Sequence, residues 1–196
     1  MTRLFLLATL AGAVMTGCSR EAEAPGDGGA TTVDQAGNGL AGDASDAIQN
    51  VQLTGGDGSA LGSASVSDGA AGLTIKVEIT GMRAGTHGIH LHEKGLCDGP
   101  RFESAGAHWN PAAKQHGRDN PQGAHLGDLA NLEVSALGVA SSKVTIPGAA
   151  IRAGGTPLAD GDGTSIIVHA KADDYKTDPS GDSGDRIACA VVATAE

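Results

Sequence analysis

Aromatic side chains are almost missing from this chain: one Trp, one Tyr and two Phe in 196 residues. A core must therefore be built from aliphatic residues, and long loops have few large side chains to anchor them. Cysteine is nearly as scarce, with only Cys18, Cys97 and Cys189, which excludes a disulfide-dense scaffold. Lys and Arg number 13 against 23 Asp and Glu, for a formal net charge of −10. That balance argues against a nucleic-acid partner, which requires a basic face. No apolar run approaches the roughly 20 residues of a bilayer-spanning helix.

The first eighteen residues do carry a short apolar stretch. Arg3 precedes Leu4 to Val14, and Met15-Thr16-Gly17-Cys18 closes the segment, the pattern of a secretory signal. The Gly17-Cys18 ending resembles the lipobox of bacterial lipoproteins, in which the cysteine is lipidated after cleavage. Lipidation at Cys18 is the expectation and soluble release the alternative. Residues 19–46 are rich in Ala, Gly, Asp and Glu without hydrophobic period, so they bury too little to offset chain entropy and read as a flexible tether. Residues 47–196 form the expected domain. Two basic and six acidic residues lie at or before Asp46, so this domain carries eleven and seventeen, a net −6. Without Cys18, the two remaining cysteines permit one pairing, which an oxidising compartment favours over two free thiols. Closing so long a loop is worth about 4–5 kcal/mol in the chain-entropy view.

The hydrophobic period of the domain is two, which is that of strands. Leu73, Ile75, Val77 and Ile79 alternate with Thr74, Lys76, Glu78 and Thr80, giving one apolar and one polar face. Val51 and Leu53, Ala64 and Val66, Ile89 and Leu91, Leu132 and Val134, Val144 and Ile146, Ile166 and Val168, and Ile187 to Val192 repeat the pattern more weakly. Turn sequences such as Gly55-Gly56-Asp57-Gly58 and Asp160-Gly161-Asp162-Gly163 separate them. Short strands with glycine-rich turns predict an all-β sandwich or barrel. Two stretches, 95–128 and 173–185, lack the pattern. Loops of that length persist in compact domains when something else holds them.

All seven histidines lie in this domain. His90 and His92, two apart on a predicted strand, project from one face while Ile89 and Leu91 project from the other. His108, His116 and His125 follow in the first long loop with Asp128, a donor set suited to tetrahedral zinc. His169 ends the apolar run Ser165-Ile166-Ile167-Val168. An all-imidazole set of this kind suits copper as well as zinc. A histidine pair on a strand is also what a solvated sheet face carries, so the pair alone decides little.

The strings decide more. His87-Gly88-Ile89-His90-Leu91-His92-Glu93, Ser104-Ala105-Gly106-Ala107-His108-Trp109-Asn110-Pro111, His125-Leu126-Gly127-Asp128-Leu129 and Gly184-Asp185-Arg186-Ile187-Ala188-Cys189 resemble the signatures of copper/zinc superoxide dismutases in their bacterial exported form, from about Ile48 onward. The resemblance implies an all-β, eight-stranded Greek-key barrel of immunoglobulin-like architecture. It implies copper on His90, His92, His108 and His169, and zinc on His108, His116, His125 and Asp128, with His108 shared. It also implies a Cys97–Cys189 disulfide, Asp173 linking His90 to His116, and Arg186 as the group that receives superoxide. His87 is left with a structural role. The activity implied is dismutation of superoxide to dioxygen and hydrogen peroxide by a histidine-bound copper, with a protonating role for His108, in the periplasm or cell envelope. Members of the family occur as monomers and as homodimers. Contact with a membrane is expected only through Cys18. A metal buffer on the same scaffold would be betrayed by a missing copper ligand or a missing arginine, and neither is missing.

Overall fold

The computed structural model describes residues 49–195; the leader, Cys18 and the whole of the expected tether, 19–46, lie outside them. Eleven strands and one 3-10 turn (Glu103–Ala105) make up its regular structure, with no α-helix among the described residues. In chain order the strands are β1 (Gln49–Gly55), β2 (Ala60–Gly69), β3 (Gly72–Thr80), β4 (Gly85–His87), β5 (Ile89–His92), β6 (Leu132–Val134), β7 (Val139–Ile146), β8 (Ala149–Ala150), β9 (Thr156–Pro157), β10 (Thr164–His169) and β11 (Arg186–Ala193). Seven form one antiparallel sheet in the order β5-β10-β11-β1-β2-β3-β7, and β4 pairs with β6. The sheet curls into the Greek-key barrel that the sequence predicts. β8 and β9 are two-residue contacts in a crossover loop. β4 and β5 are one strand interrupted at Gly88, whose N–H and C=O turn aside to Lys171 and His169. Counted that way, the barrel has its eight strands.

Alternation builds the core. Leu73, Ile75, Val77 and Ile79 of β3 are each at most 1% exposed, and full burial of such side chains is worth about 1.5–3 kcal/mol apiece. On β5 and β10, Ile89, Leu91, Ile166 and Val168 face the same core. Across the ladder Ile167 stands opposite His90 and Ser165 opposite His92, and directly opposed residues share a face. Both histidines therefore sit on the outer surface of the barrel wall, where the loops cover them.

Two devices bring loops onto that surface. Cys97 and Cys189 form a disulfide closing a 92-residue separation, with Cα atoms 5.7 Å apart. It ties the first long loop to β11 beside a small apolar cluster of Phe102, Ala105 and Ile167. The second device is the free edge of β5. Trp109 N–H donates to Leu91 C=O at 2.8 Å and Leu91 N–H to Gly127 C=O at 2.9 Å, so two loop segments lie against the strand. Any Cβ at Gly127 would come within 2.6 Å of Leu91 O; only glycine allows that approach.

Candidate metal centre

The edge pairing of β5 decides what the histidines meet. His92 bridges to His108 and His90 to Asp128, which sets loop residues directly beside strand residues. His169 arrives from the adjacent strand β10. Between Val168 and His169 the pairing slips, so that Val168 faces Ala188 but His169 faces Arg186. Without that one-residue bulge, alternation would turn Arg186 toward the core. The slip puts it on the outer surface with the histidines.

Two overlapping donor groups result. Ring nitrogens of His90, His92, His108 and His169 lie within 4.8 Å of one another, and the side-chain donors of His90, His108, His116 and Asp128 form a second such set. His125 belongs to the second set on distance: its Nδ1 is 3.1 Å from Asp128 Oδ1 and 3.4 Å from His108 Nδ1. His90 is better placed in the first, because its Nε2 is already bonded to Asp173 Oδ2 at 2.9 Å. Around Asp128 Oδ1 stand three imidazole nitrogens: Nδ1 of His108 at 2.9 Å, and of His116 and His125 at 3.1 Å each. Donors about 2.0–2.1 Å from a central zinc stand ~3.3 Å apart along the edges of a tetrahedron, and the observed spacings fit. The carboxylate is aimed by its other oxygen, which accepts N–H bonds from Gly117 at 2.9 Å and His125 at 3.0 Å.

The rings are fixed from behind. His92 Nδ1 donates to Gly106 C=O at 3.0 Å and His169 Nδ1 to Gly184 C=O at 3.1 Å. His90 and His116 donate from Nε2 to the two oxygens of Asp173, each at 2.9 Å. In His90, His92 and His169 the proton is committed to an oxygen, so the other nitrogen presents a bare lone pair; in His116 the other nitrogen, Nδ1, faces Asp128 Oδ1. The bare nitrogens of those three rings, together with Nε2 of His108, are buried and have no hydrogen-bond partner: His90 Nδ1, His92 Nε2, His169 Nε2 and His108 Nε2. Four orphaned acceptors in one place would be costly in any fold that did not supply a cation. The residues thus fit copper and zinc.

Burial tunes the same rings. Desolvation, helped by the neighbouring His108 and Arg186, brings the His92 pKa down to about 2. Desolvation and the nearby His90 lower His169 to about 3, and desolvation lowers His108 to about 4 against the pull of Asp128. His90 is also lowered by burial. His116 goes the other way: desolvation is outweighed by Asp128 and Asp173, which raise it to about 9. Those two carboxyls resist the upward push of burial and fall well below the ordinary range through hydrogen bonds from the histidines.

A cavity of about 380 Å³ opens onto His92, His108, His169 and Arg186, with Pro179 and Ser180 at its edge. A larger concavity of about 620 Å³ shares Arg186 but touches no histidine, so it is a surface groove. The Arg186 guanidinium is locked by Phe102 C=O at 2.7 Å and Gly106 C=O at 2.6 Å. Burial draws its pKa down somewhat, yet the group stays charged. His87 is buried, with Nδ1 2.8 Å from His169 O and Nε2 3.0 Å from Arg83 O, and it faces neither donor group. Cys18 lies outside the described residues.

Some contributors have no sequence signature. The carbonyls of Phe102, Gly106 and Gly184 are backbone groups, and no side chain announces them. Asp178 accepts the His116 N–H at 2.7 Å. Asn131 clasps Asp173, its Nδ2 donating to Asp173 C=O and its Oδ1 accepting Asp173 N–H, both at 2.9 Å. Asn131 and Asp178 are ordinary loop polars until the fold brings them there.

A β-barrel with two adjoining histidine-rich donor groups sharing one imidazole defines a metal-binding enzyme class. Residues 57–192 match the family described as Copper/zinc superoxide dismutase (SODC). Superoxide dismutase [Cu-Zn] of Caulobacter vibrioides is 44% identical over 140 residues, covering 70% of this chain and 80% of that protein. Superoxide dismutase [Cu-Zn] 2 of Aquifex aeolicus is 35% identical over 145 residues, covering 73% and 85%. Among solved structures, a double mutant of a superoxide dismutase-like protein from Bacillus subtilis is similar, with TM-score 0.70 and 43% identity over 74% of this chain and 99% of that one. The chain belongs to the copper/zinc superoxide dismutase family.

Proposed function

We propose that this chain dismutates superoxide with copper held by His90, His92, His108 and His169 and zinc held by His108, His116, His125 and Asp128. The observation that carries the reading is the set of four buried ring nitrogens without a protein partner, on His90, His92, His108 and His169. His108 is the shared group, with Nε2 toward the first set and Nδ1 toward Asp128. When bound, copper supplies the one-electron couple that oxidises one superoxide to dioxygen and reduces a second to hydrogen peroxide. The loop set suits zinc, a tetrahedral ion without redox chemistry.

The chain's own residues do the rest. Arg186, held rigid by two carbonyls, presents a positive face to the cavity and draws the anion in, although the domain as a whole is negative. With two divalent ions and one shared imidazolate the domain's charge is about −3, so attraction has to be local, by field focusing at the mouth. His108 lines that cavity, and its Nε2, when not held by copper, would take up a proton and return it to the forming peroxide. Asp173 keeps the His90 and His116 rings turned so that Nδ1 of each faces inward. Every group in this scheme comes from one chain, so a homodimer is not needed for the chemistry.

The Cys97–Cys189 disulfide supports work in an oxidising compartment. With it goes the reading of residues 1–18 as an export signal, Cys18 as the site of lipidation and 19–46 as a tether carrying the catalytic unit 47–196 from a membrane. The mass of the mature N-terminus tests that part. The central experiment measures bound copper and zinc per chain and assays dismutation on the same sample. One of each ion with fast dismutation is expected. Zinc alone with no activity would make the chain a metal buffer.

A further inference from the structure

The chain's single tyrosine faces neither donor group, yet it touches nearly everything that holds the zinc-side loop. Tyr175 lies two residues after Asp173, in the left-handed region with φ 60°. Its N–H donates to Asp173 Oδ1 at 2.6 Å, the same oxygen that receives His116 Nε2. Its C=O accepts the Asp119 N–H at 2.9 Å. Its phenolic oxygen accepts the Asn131 N–H at 2.8 Å, and Asn131 is the residue that clasps Asp173. The Arg118 guanidinium stands over its ring, 3.7 Å from the centroid. The intervening Gly117 passes so close that a Cβ there would lie 2.1 Å from Tyr175 O.

Arg118 and Asp119 follow His116 by two and three residues, and Asn131 follows Asp128 by three. Tyr175 therefore fastens the segment behind His116, the segment behind Asp128, and the carboxylate that turns the His116 ring. His116 can swing outward to release an ion only if the 116–119 segment slides off the tyrosine. We propose that Tyr175 and Arg118 form a latch that sets the rate at which the loop-site ion is lost, without touching that ion. Tyr175 is thus a positioning residue. The inference rests on the reading of the loop set as a zinc site.

The test starts from protein loaded with copper and zinc and follows zinc transfer to a chromogenic chelator at neutral pH, with copper content measured at the end. Arg118→Ala removes only an exposed side chain and should speed zinc transfer roughly threefold, with Arg118→Lys restoring most of the wild-type rate. Tyr175→Phe keeps the ring but strands the Asn131 N–H, and should speed transfer about tenfold. Copper retention should stay within about twofold of wild type in all three, since the strand-borne ligands do not touch the latch. Zinc transfer unchanged in Arg118→Ala and Tyr175→Phe would overturn the latch. So would zinc and copper leaving faster together, which is what general loosening produces. If Tyr175→Phe fails to fold, Arg118→Ala still decides. Wild-type protein that takes up no zinc would overturn the reading of the loop site itself, and the latch with it.

Discussion

The two halves of the metal centre are built differently. His90, His92 and His169 stand on paired strands, with ladder bonds on β5 and β10 fixing their spacing. His116, His125 and Asp128 stand on a loop with no regular structure between the 3-10 turn and β6. The strand half is arranged before any ion arrives, because the barrel core holds it. The loop half is arranged by cross-bonds to other loops, through Asp173, Asp178, Asn131 and Tyr175, and by the ion itself. Preorganisation suits a site that must keep its geometry through a change of charge. A loop closed by ligation suits a site whose work is to hold structure.

Removing both ions gives the largest expected break in that contrast. The melting temperature should fall by roughly 15 °C or more, because ion binding is folding free energy for the loops. Hydrogen exchange should speed up across 107–128 and 170–185 while β5 and β10 stay protected. An unchanged melting temperature would sink the assignment of structural work to the loop site. Next in size is Asp173→Asn, which leaves the His90 and His116 rings without their common acceptor. Metal affinity should drop about 10- to 100-fold, with zinc affected more than copper, as measured by competition with a calibrated chelator. Equal losses at both sites would mean the strand half is no more self-sufficient than the loop half.

Arg186→Ala addresses the strand side alone. kcat/KM should fall about tenfold and depend less on ionic strength, with copper and zinc contents intact. Rates that match wild type across salt would remove Arg186 from substrate capture. The smallest effect sharpens the comparison through pH in the metal-free protein. His92, His169 and His108 have folded pKa values lowered to about 2, 3 and 4, so the unfolded chain binds more protons below about 6.5. Stability should therefore fall as pH drops from 6.5 toward 4.5, by roughly 1 kcal/mol per unit for each of these rings. His116, raised to about 9, contributes fully below about 6.5, and its share is lost only as pH rises toward 9. Urea unfolding of apoprotein at pH 7.0, 5.5 and 4.5 measures the slope. A flat profile would show that the rings are solvated without metal.

Much of this was legible in the residue order. The alternation through Leu73 to Ile79 is the buried face of β3, and His90 and His92 share a face because the strand period is two. Their donor types suggested copper and zinc, and four strings in order suggested the family. The break between β4 and β5 was harder to read, because Gly88 turns aside only when Lys171 and His169 are there to receive its backbone groups. The orientation of Arg186 was not legible from alternation at all. A strand read by period two puts it inward, and the bulge opposite His169 turns it outward.

Tyr175 and Asn131 mark the same boundary. As sequence they are one aromatic and one amide in polar loops. Their roles depend on contacts between segments 42 or more residues apart. Composition, period and local strings determined that this is a β-barrel with a histidine metal centre, because those properties are carried by neighbours along the chain. Which nitrogen of each ring is bare, which carbonyls lock Arg186 and what latches the loop were decided by tertiary structure alone. Each depends on hydrogen-bond partners that only folding brings within 3 Å or so.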